Sequence, residues 1–256
     1  MKKPKVLIMR AAGTNCDRET EWAFQLAGAA PERVHVNELV RGTRALKEFQ
    51  ILVIPGGFSY GDDIAAGRVL AGELRHKLWD GLREFVARGK PVLGICNGFQ
   101  VLVKSGLLPF SGRQQVTLGW NDCGRFEDRW VHLNVEDSVS PLMRNLPAVI
   151  RLPVAHAEGK FIAADNGVLG RLDRNKQVVF RYIAPSGERK GYPWNPNGSV
   201  GNIAGICDES GLVLGMMPHP ERCLLRYQYP DWQRMSEKGD AGVGFFIFRN
   251  VVEYVL

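Results

Sequence analysis

Gly94-Ile95-Cys96-Asn97-Gly98 places a cysteine between two glycines, where an apolar run ends and a helical one begins. A strand that turns sharply into a helix holds its turn residue in a strained backbone conformation and presents that side chain at the sheet's carboxyl edge. Side chains at minus two and plus two would collide, so glycine suits both. The helix N-terminus beneath favours thiolate over thiol, and its free N–H groups can hold an oxyanion. This is the equipment of a cysteine nucleophile attacking an acyl carbon. Taken alone, the pattern also fits a buried structural cysteine at a strand end.

Two further segments bear on that choice. Pro55-Gly56-Gly57-Phe58 also ends an apolar run. Its glycines let the backbone approach a ligand closely, and Gly57 N–H is a natural second oxyanion donor beside Asn97 N–H. In Met217-Pro218-His219-Pro220-Glu221, residues two apart in extended chain face one side. A carboxylate beside an imidazole fixes its tautomer and stabilises the imidazolium. His219 is therefore a candidate base and Glu221 its orienting group. His156-Ala157-Glu158-Gly159 has the same His-x-Glu spacing, and spacing alone leaves the two pairs open. His35, His76 and His132 read as structural or exposed.

These segments need a scaffold. Short runs that are apolar throughout, at Lys5–Met9, Val34–Val36, Ile51–Ile54 and Pro91–Ile95, alternate with helical stretches at 15–29, Leu70–Arg88 and Asn97–Lys104. Such alternation predicts a mostly parallel sheet covered on both faces. Asn15 is the expected cap of the first helix, with Trp22, Leu26 and Ala29 on one face. The second half reads as strands with few helices between them: Arg125–Val135, Val149–Val154, Val178–Tyr182, Ile203–Cys207 and Leu212–Met216. Asp208-Glu209-Ser210-Gly211 forms a hairpin turn between the last two, and Phe245–Val255 is a closing helix. The expected fold is one α/β domain over residues 1–256 with a mixed or antiparallel second half.

Composition excludes several classes. The 256 residues are 45% hydrophobic and 23% charged, as in an ordinary globular protein. The net charge of +6 is scattered, so no nucleic-acid arm is expected. No apolar run reaches the ~18 residues of a membrane span, and the start lacks a signal-peptide pattern; a cytoplasmic location is expected. The five cysteines, Cys16, Cys96, Cys123, Cys207 and Cys223, include no C-x-x-C pair, so no zinc ribbon or other metal site is expected.

Together, P-G-G after one strand, G-x-C-x-G after the next and a distant P-H-P-E resemble the class I (triad) glutamine amidotransferases, whose fold is flavodoxin-like. Longer words resemble one branch, the PurQ-type glutaminase component of phosphoribosylformylglycinamidine synthase. They are Gly13-Thr14-Asn15-Cys16-Asp17, the run Pro55–Asp62, the run Gly124–Val131, His156–Lys160, Asn195-Pro196-Asn197-Gly198-Ser199 and Ile203-Ala204-Gly205-Ile206. The resemblance implies Cys96 as nucleophile, His219 as base and acid, Glu221 as orienting residue, and Gly57 and Asn97 as backbone oxyanion donors. It implies a glutamyl-thioester on Cys96 and ammonia passed through a channel to a synthetase. It also assigns His156 and Glu158 to a loop at the glutamine pocket or the partner interface. Gly56, and Gln100 one helical turn past Cys96, are candidates for binding glutamine.

The resemblance further implies PurL-type synthetase and PurS-type bridging subunits as partners, with de novo purine synthesis as the pathway. This chain has no G-x-x-x-x-G-K-[ST] loop, so no cofactor is expected on it. ATP and magnesium belong on the synthetase, which converts formylglycinamide ribonucleotide to the amidine. Two positions depart from the pattern: Ala157 stands where glycine is expected, and Cys123 where serine is. The segment Gln228–Asp240 reads as a surface insertion. Alternatives are a glutaminase serving the synthesis of vitamin B6, histidine or GMP, or a non-catalytic assembly subunit.

Overall fold

The computed structural model describes residues 3–235 and 239–256. The chain opens with β1 (Lys5–Arg10), α1 (Asp17–Leu26), β2 (Ala30–His35), the short α2 (Val36–Val40) and β3 (Ile51–Ile54). Helix α3 (Arg68–Glu73) runs through a π-helical turn at Leu74–Leu78 into α4 (Trp79–Ala87), followed by β4 (Val92–Ile95) and α5 (Asn97–Ser105). The second half holds β5 (Val116–Gly119), β6 (Glu127–Val135), β7 (Val149–His156), β8 (Lys160–Ala163) and α6 (Asn166–Arg174). It closes with β9 (Val178–Ile183), β10 (Ile203–Cys207), β11 (Val213–Met216) and α7 (Val243–Tyr254).

Among the described residues, nine strands form one sheet in the order β2-β1-β3-β4-β11-β10-β9-β6-β7. Pairing is parallel from β2 to β11 and antiparallel beyond it. The parallel strands β3, β4 and β11 are buried at every position. This explains why they read as continuous apolar runs instead of alternating ones. Helix α1 packs on α7 through Phe24 and Phe248, edge to face with ring centroids 5.1 Å apart, and α3 packs on α5. Strands β5 and β8 make a separate two-stranded ribbon.

Helix α5 lies unusually close to the sheet because glycines remove the obstacles. A Cβ on Gly94 would come within 2.8 Å of the Gly98 backbone, and one on Gly98 would overlap the Ile54 carbonyl of β3. A Cβ on Gly215 would overlap the ring of Phe99, which is fully buried.

The mixed fold follows the expected order, with local differences. Helix α1 is capped at Cys16 with no side-chain bond, so Asn15 is not its cap. Its buried side is Thr20, Ala23 and Phe24, while Trp22 and Leu26 are exposed. The packing partner Phe248 selects the face that holds Phe24. Val36 begins α2 instead of ending β2, since the His35 Nδ1 accepts from Asn37 N–H and starts a helix there. In the segment Gln228–Asp240, read as an insertion, the described residues are flanked by a Leu225–Ala241 bridge, and Arg151 holds Asp231 at 2.9 and 3.0 Å. Its residues 236–238 lie outside the described ones.

Candidate functional site

Strands β1, β3, β4 and β11 run parallel, so their carboxyl ends share one edge, where open α/β sheets place their ligands. Each delivers one segment there. Cys96 follows β4 with φ +50° and ψ −104°, a strained conformation for a non-glycine residue. It is held by Cys96 N–H to the Met216 carbonyl at 2.8 Å and is the residue just before α5. The thiol rests against the Ala155 carbonyl at 3.6 Å. The strained elbow expected from the paired glycines is present.

Beyond β3, Gly57 has φ +149° and pairs with Thr14 in an isolated antiparallel bridge. The bonds are Phe58 N–H to Gly13 O at 2.9 Å and Asn15 N–H to Gly56 O at 3.4 Å. They flank Gly57, which leaves its own N–H out of the pairing. A Cβ there would lie 2.8 Å from the Gly13 carbonyl oxygen. The Asn97 N–H, at the first position of α5, is likewise outside the intrahelical ladder. Both expected oxyanion donors therefore carry N–H groups that the fold does not consume.

After β11, His219 N–H donates to the Pro153 carbonyl at 2.8 Å, and Pro220–Arg222 makes a 3-10 turn. The turn, not an extended strand, brings His219 Nδ1 to 2.6 Å from Glu221 Oε1. Both residues are buried, and His219 Nε2 has no hydrogen-bond partner among the described residues. Burial opposes charge on the imidazole, but the Glu221 carboxylate and then the Cys96 sulfur outweigh it and hold its pKa well above the usual histidine value. Gly56 permits this approach: a Cβ there would sit 2.9 Å from His219 Cε1 and 3.1 Å from Cys16 Sγ.

His156 has a different environment. It ends β7, is buried, and its Nδ1 lies 3.2 Å from Asn121 Oδ1. Burial first, then the neighbouring His219, lowers its pKa to about 3, so the ring is neutral. Glu158 does not pair with it; its carboxylate accepts from Ala66 N–H at 3.2 Å. The geometry thus separates two His-x-Glu words that spacing left equal. Ala157 is not among the residues with positive φ, so this backbone does not require glycine there. Cys123 Sγ lies 3.2 Å from Glu127 Oε1. Gln100 is buried with both ends of its amide taken, by Glu158 O at 2.6 Å and Asn97 Nδ2 at 2.9 Å.

Two residues at this edge had no role assigned from the sequence. Cys16, the residue before α1, lies beside His219. Arg222 donates to its Sγ at 3.3 Å. The word Gly13–Asp17 entered the sequence reading only through the family resemblance.

The arrangement suits acyl transfer from a small amide through a thioester. Comparisons with known proteins point the same way. The family model described as the CobB/CobQ-like glutamine amidotransferase domain matches residues 3–255. The phosphoribosylformylglycinamidine synthase subunit PurQ of Dehalococcoides mccartyi is 46% identical over 259 residues, covering 99% of this chain and 98% of that one. Its namesake from Methanococcus maripaludis is 42% identical over 266 residues, covering 98% and 97%. Among solved structures, that of PurLQS from Thermotoga maritima contains a chain that matches with TM-score 0.77 and 31% identity, covering 99% of this chain and 100% of that one.

Proposed function

The chain belongs to the CobB/CobQ-like glutamine amidotransferase family, and within it we infer that it acts as the glutaminase subunit of a phosphoribosylformylglycinamidine synthase. It works beside PurL-type and PurS-type subunits, the set named for the Thermotoga maritima assembly. ATP and magnesium act on the synthetase partner. Among the described residues no helix is long and apolar enough to cross a membrane, and we place the reaction in the cytoplasm.

Cys96 Sγ attacks the side-chain amide carbon of glutamine with its proton already carried by His219, whose raised pKa favours the imidazolium. The tetrahedral oxyanion is held by the N–H groups of Gly57 and Asn97. His219 then protonates the departing nitrogen, ammonia leaves, and a glutamyl-thioester remains on Cys96. Water attacks the thioester, giving its proton to His219. Collapse expels the sulfur with that proton kept on His219, restoring the starting pair, and the new carboxyl of glutamate gives its proton to solvent. Glu221 keeps Nδ1 protonated and stabilises the imidazolium throughout.

The observation that carries this reading is the buried His219–Glu221 pair, 2.6 Å apart, with its free Nε2 at the edge where Cys96 is presented. The test is reconstitution. Adding this chain to PurL- and PurS-type subunits should let glutamine replace ammonia in ATP-dependent synthesis. Synthesis that runs on ammonia but never on glutamine, with the complex assembled, contradicts the assignment.

A further inference from the structure

The two proposed oxyanion donors lie on different elements: Gly57 follows β3 and Asn97 opens α5. A single side chain joins those elements. Asn97 Oδ1 accepts from Ser59 N–H at 3.3 Å, two residues past Gly57. Asn97 Nδ2 donates to Asp62 Oδ1 at 3.1 Å and to Gln100 Oε1 at 2.9 Å. Asn97 is buried, and its bonds to Ser59 and Gln100 are made away from water, while that to Asp62 is half-buried.

We propose that the Asn97 carboxamide is a positioning clamp that sets the separation of the two oxyanion donors, and that Asp62 fixes its orientation. The proposal rests on the glutaminase reading above.

An amide side chain can bind with either end outward. Here the two ends are told apart by their partners. A backbone N–H from Ser59 requires an oxygen, and the Asp62 carboxylate requires an N–H group. Asp62 is itself held: its carboxylate accepts from Gly67 N–H at 3.4 Å. Glu158 anchors the far end of the same loop through Ala66 N–H. The buried Lys104 bridges the two by donating to Ala66 O at 2.5 Å and approaching Glu158 Oε2 at 3.6 Å. The loop therefore presents Asp62 to Asn97 from a fixed position.

A clamp of this kind acts on the tetrahedral state more than on bound glutamine. The N–H groups must converge on an oxygen that carries full charge only after attack. Losing the clamp should lower turnover and leave ground-state affinity largely intact. The experiment uses the whole chain in complex with its PurL- and PurS-type partners. Asn97→Ala and Asp62→Leu are expected to lower kcat for glutamine hydrolysis by about tenfold to a hundredfold, with KM for glutamine within about threefold. Asp62→Asn can still accept from Asn97 Nδ2 and should recover most of the rate.

The second measurement is inhibition by glutamate γ-semialdehyde, whose aldehyde forms a tetrahedral adduct with a thiol. Its inhibition constant should rise in parallel with the loss of kcat, while that of glutamate stays put. Equal weakening of both inhibitors, or a raised KM at unchanged kcat, overturns the clamp. So does wild-type turnover in Asn97→Ala. A wild-type complex without glutaminase activity instead sinks the parent reading.

Discussion

His219 Nδ1 and Glu221 Oε1 stand 2.6 Å apart with both residues buried, and Glu221 Oε2 has no partner among the described residues. The carboxylate thus spends one oxygen on the imidazole. Glu221→Gln preserves shape but presents either a neutral acceptor or an N–H group to Nδ1. Hydrolysis of glutamine should fall by about 10²–10⁴-fold in kcat, as when a neutral amide replaces the orienting carboxylate of a triad. KM should change little. Steady-state kinetics of the complex decide it; a raised KM with normal kcat would give Glu221 a binding role instead.

Gly98 faces the Ile54 carbonyl with no room for a methyl group. Gly98→Ala must push α5 away from β3 or distort the elbow. A loss of about 3 kcal/mol is expected, read as a lower denaturant midpoint at unchanged m-value. Stability within about 0.5 kcal/mol of wild type would show that the close approach of helix to sheet is dispensable.

Gln100 separates two roles. One helical turn past Cys96, it had the position of a residue that binds glutamine. The structure instead shows both ends of its amide bonded to Glu158 O and to Asn97. Gln100→Leu should therefore reduce kcat about tenfold through Asn97, with KM for glutamine within about threefold. A KM rise of tenfold or more at constant kcat would restore the binding role.

The buried neutral His156 makes an acid-sensitivity prediction. Its folded pKa of about 3 lies below the ordinary 6.5. Its stabilising contribution is therefore complete above pH 6.5 and is lost as pH falls from 6.5 toward 3. One such proton corresponds to a slope of about 1.4 kcal/mol per pH unit. His219 is shifted the other way, so its contribution is complete below pH 6.5 and is lost only as pH rises through its raised folded pKa. Denaturation of wild type and His156→Gln from pH 7 to 4 tests this. The variant should lose about one proton's worth of slope; identical slopes would show that His156 does not report on acid unfolding.

How much of this was legible depends on the kind of signal. Ile51–Ile54 and Ile203–Cys207 were read with their observed bounds, because a strand buried on both faces shows as unbroken apolar sequence between turn residues. The elbow was legible because glycine at minus two and plus two is a steric requirement written in residue type. The exposed face of α1 was misjudged because Trp22 looks apolar in isolation, whereas burial follows Phe24 onto Phe248. Strands β5 and β8 have four residues each, too few to display a period. Asp62, Lys104 and Arg222 reach their partners only through the fold. The environments of His156 and His219 are set apart by neighbours far apart in sequence: Asn121 for one, Pro153 and the Cys96 edge for the other.

The central claim is that Cys96 carries the acyl group, and trapping that group tests it most directly. The complex would be mixed with glutamine, quenched in acid during turnover, digested and examined by mass spectrometry. The account predicts one glutamyl adduct, on the peptide containing Cys96, and none in Cys96→Ala, which should retain ammonia-dependent synthesis while losing glutamine hydrolysis by at least roughly a thousandfold. An adduct on Cys16 or Cys123, or continued glutamine turnover in Cys96→Ala, would contradict it.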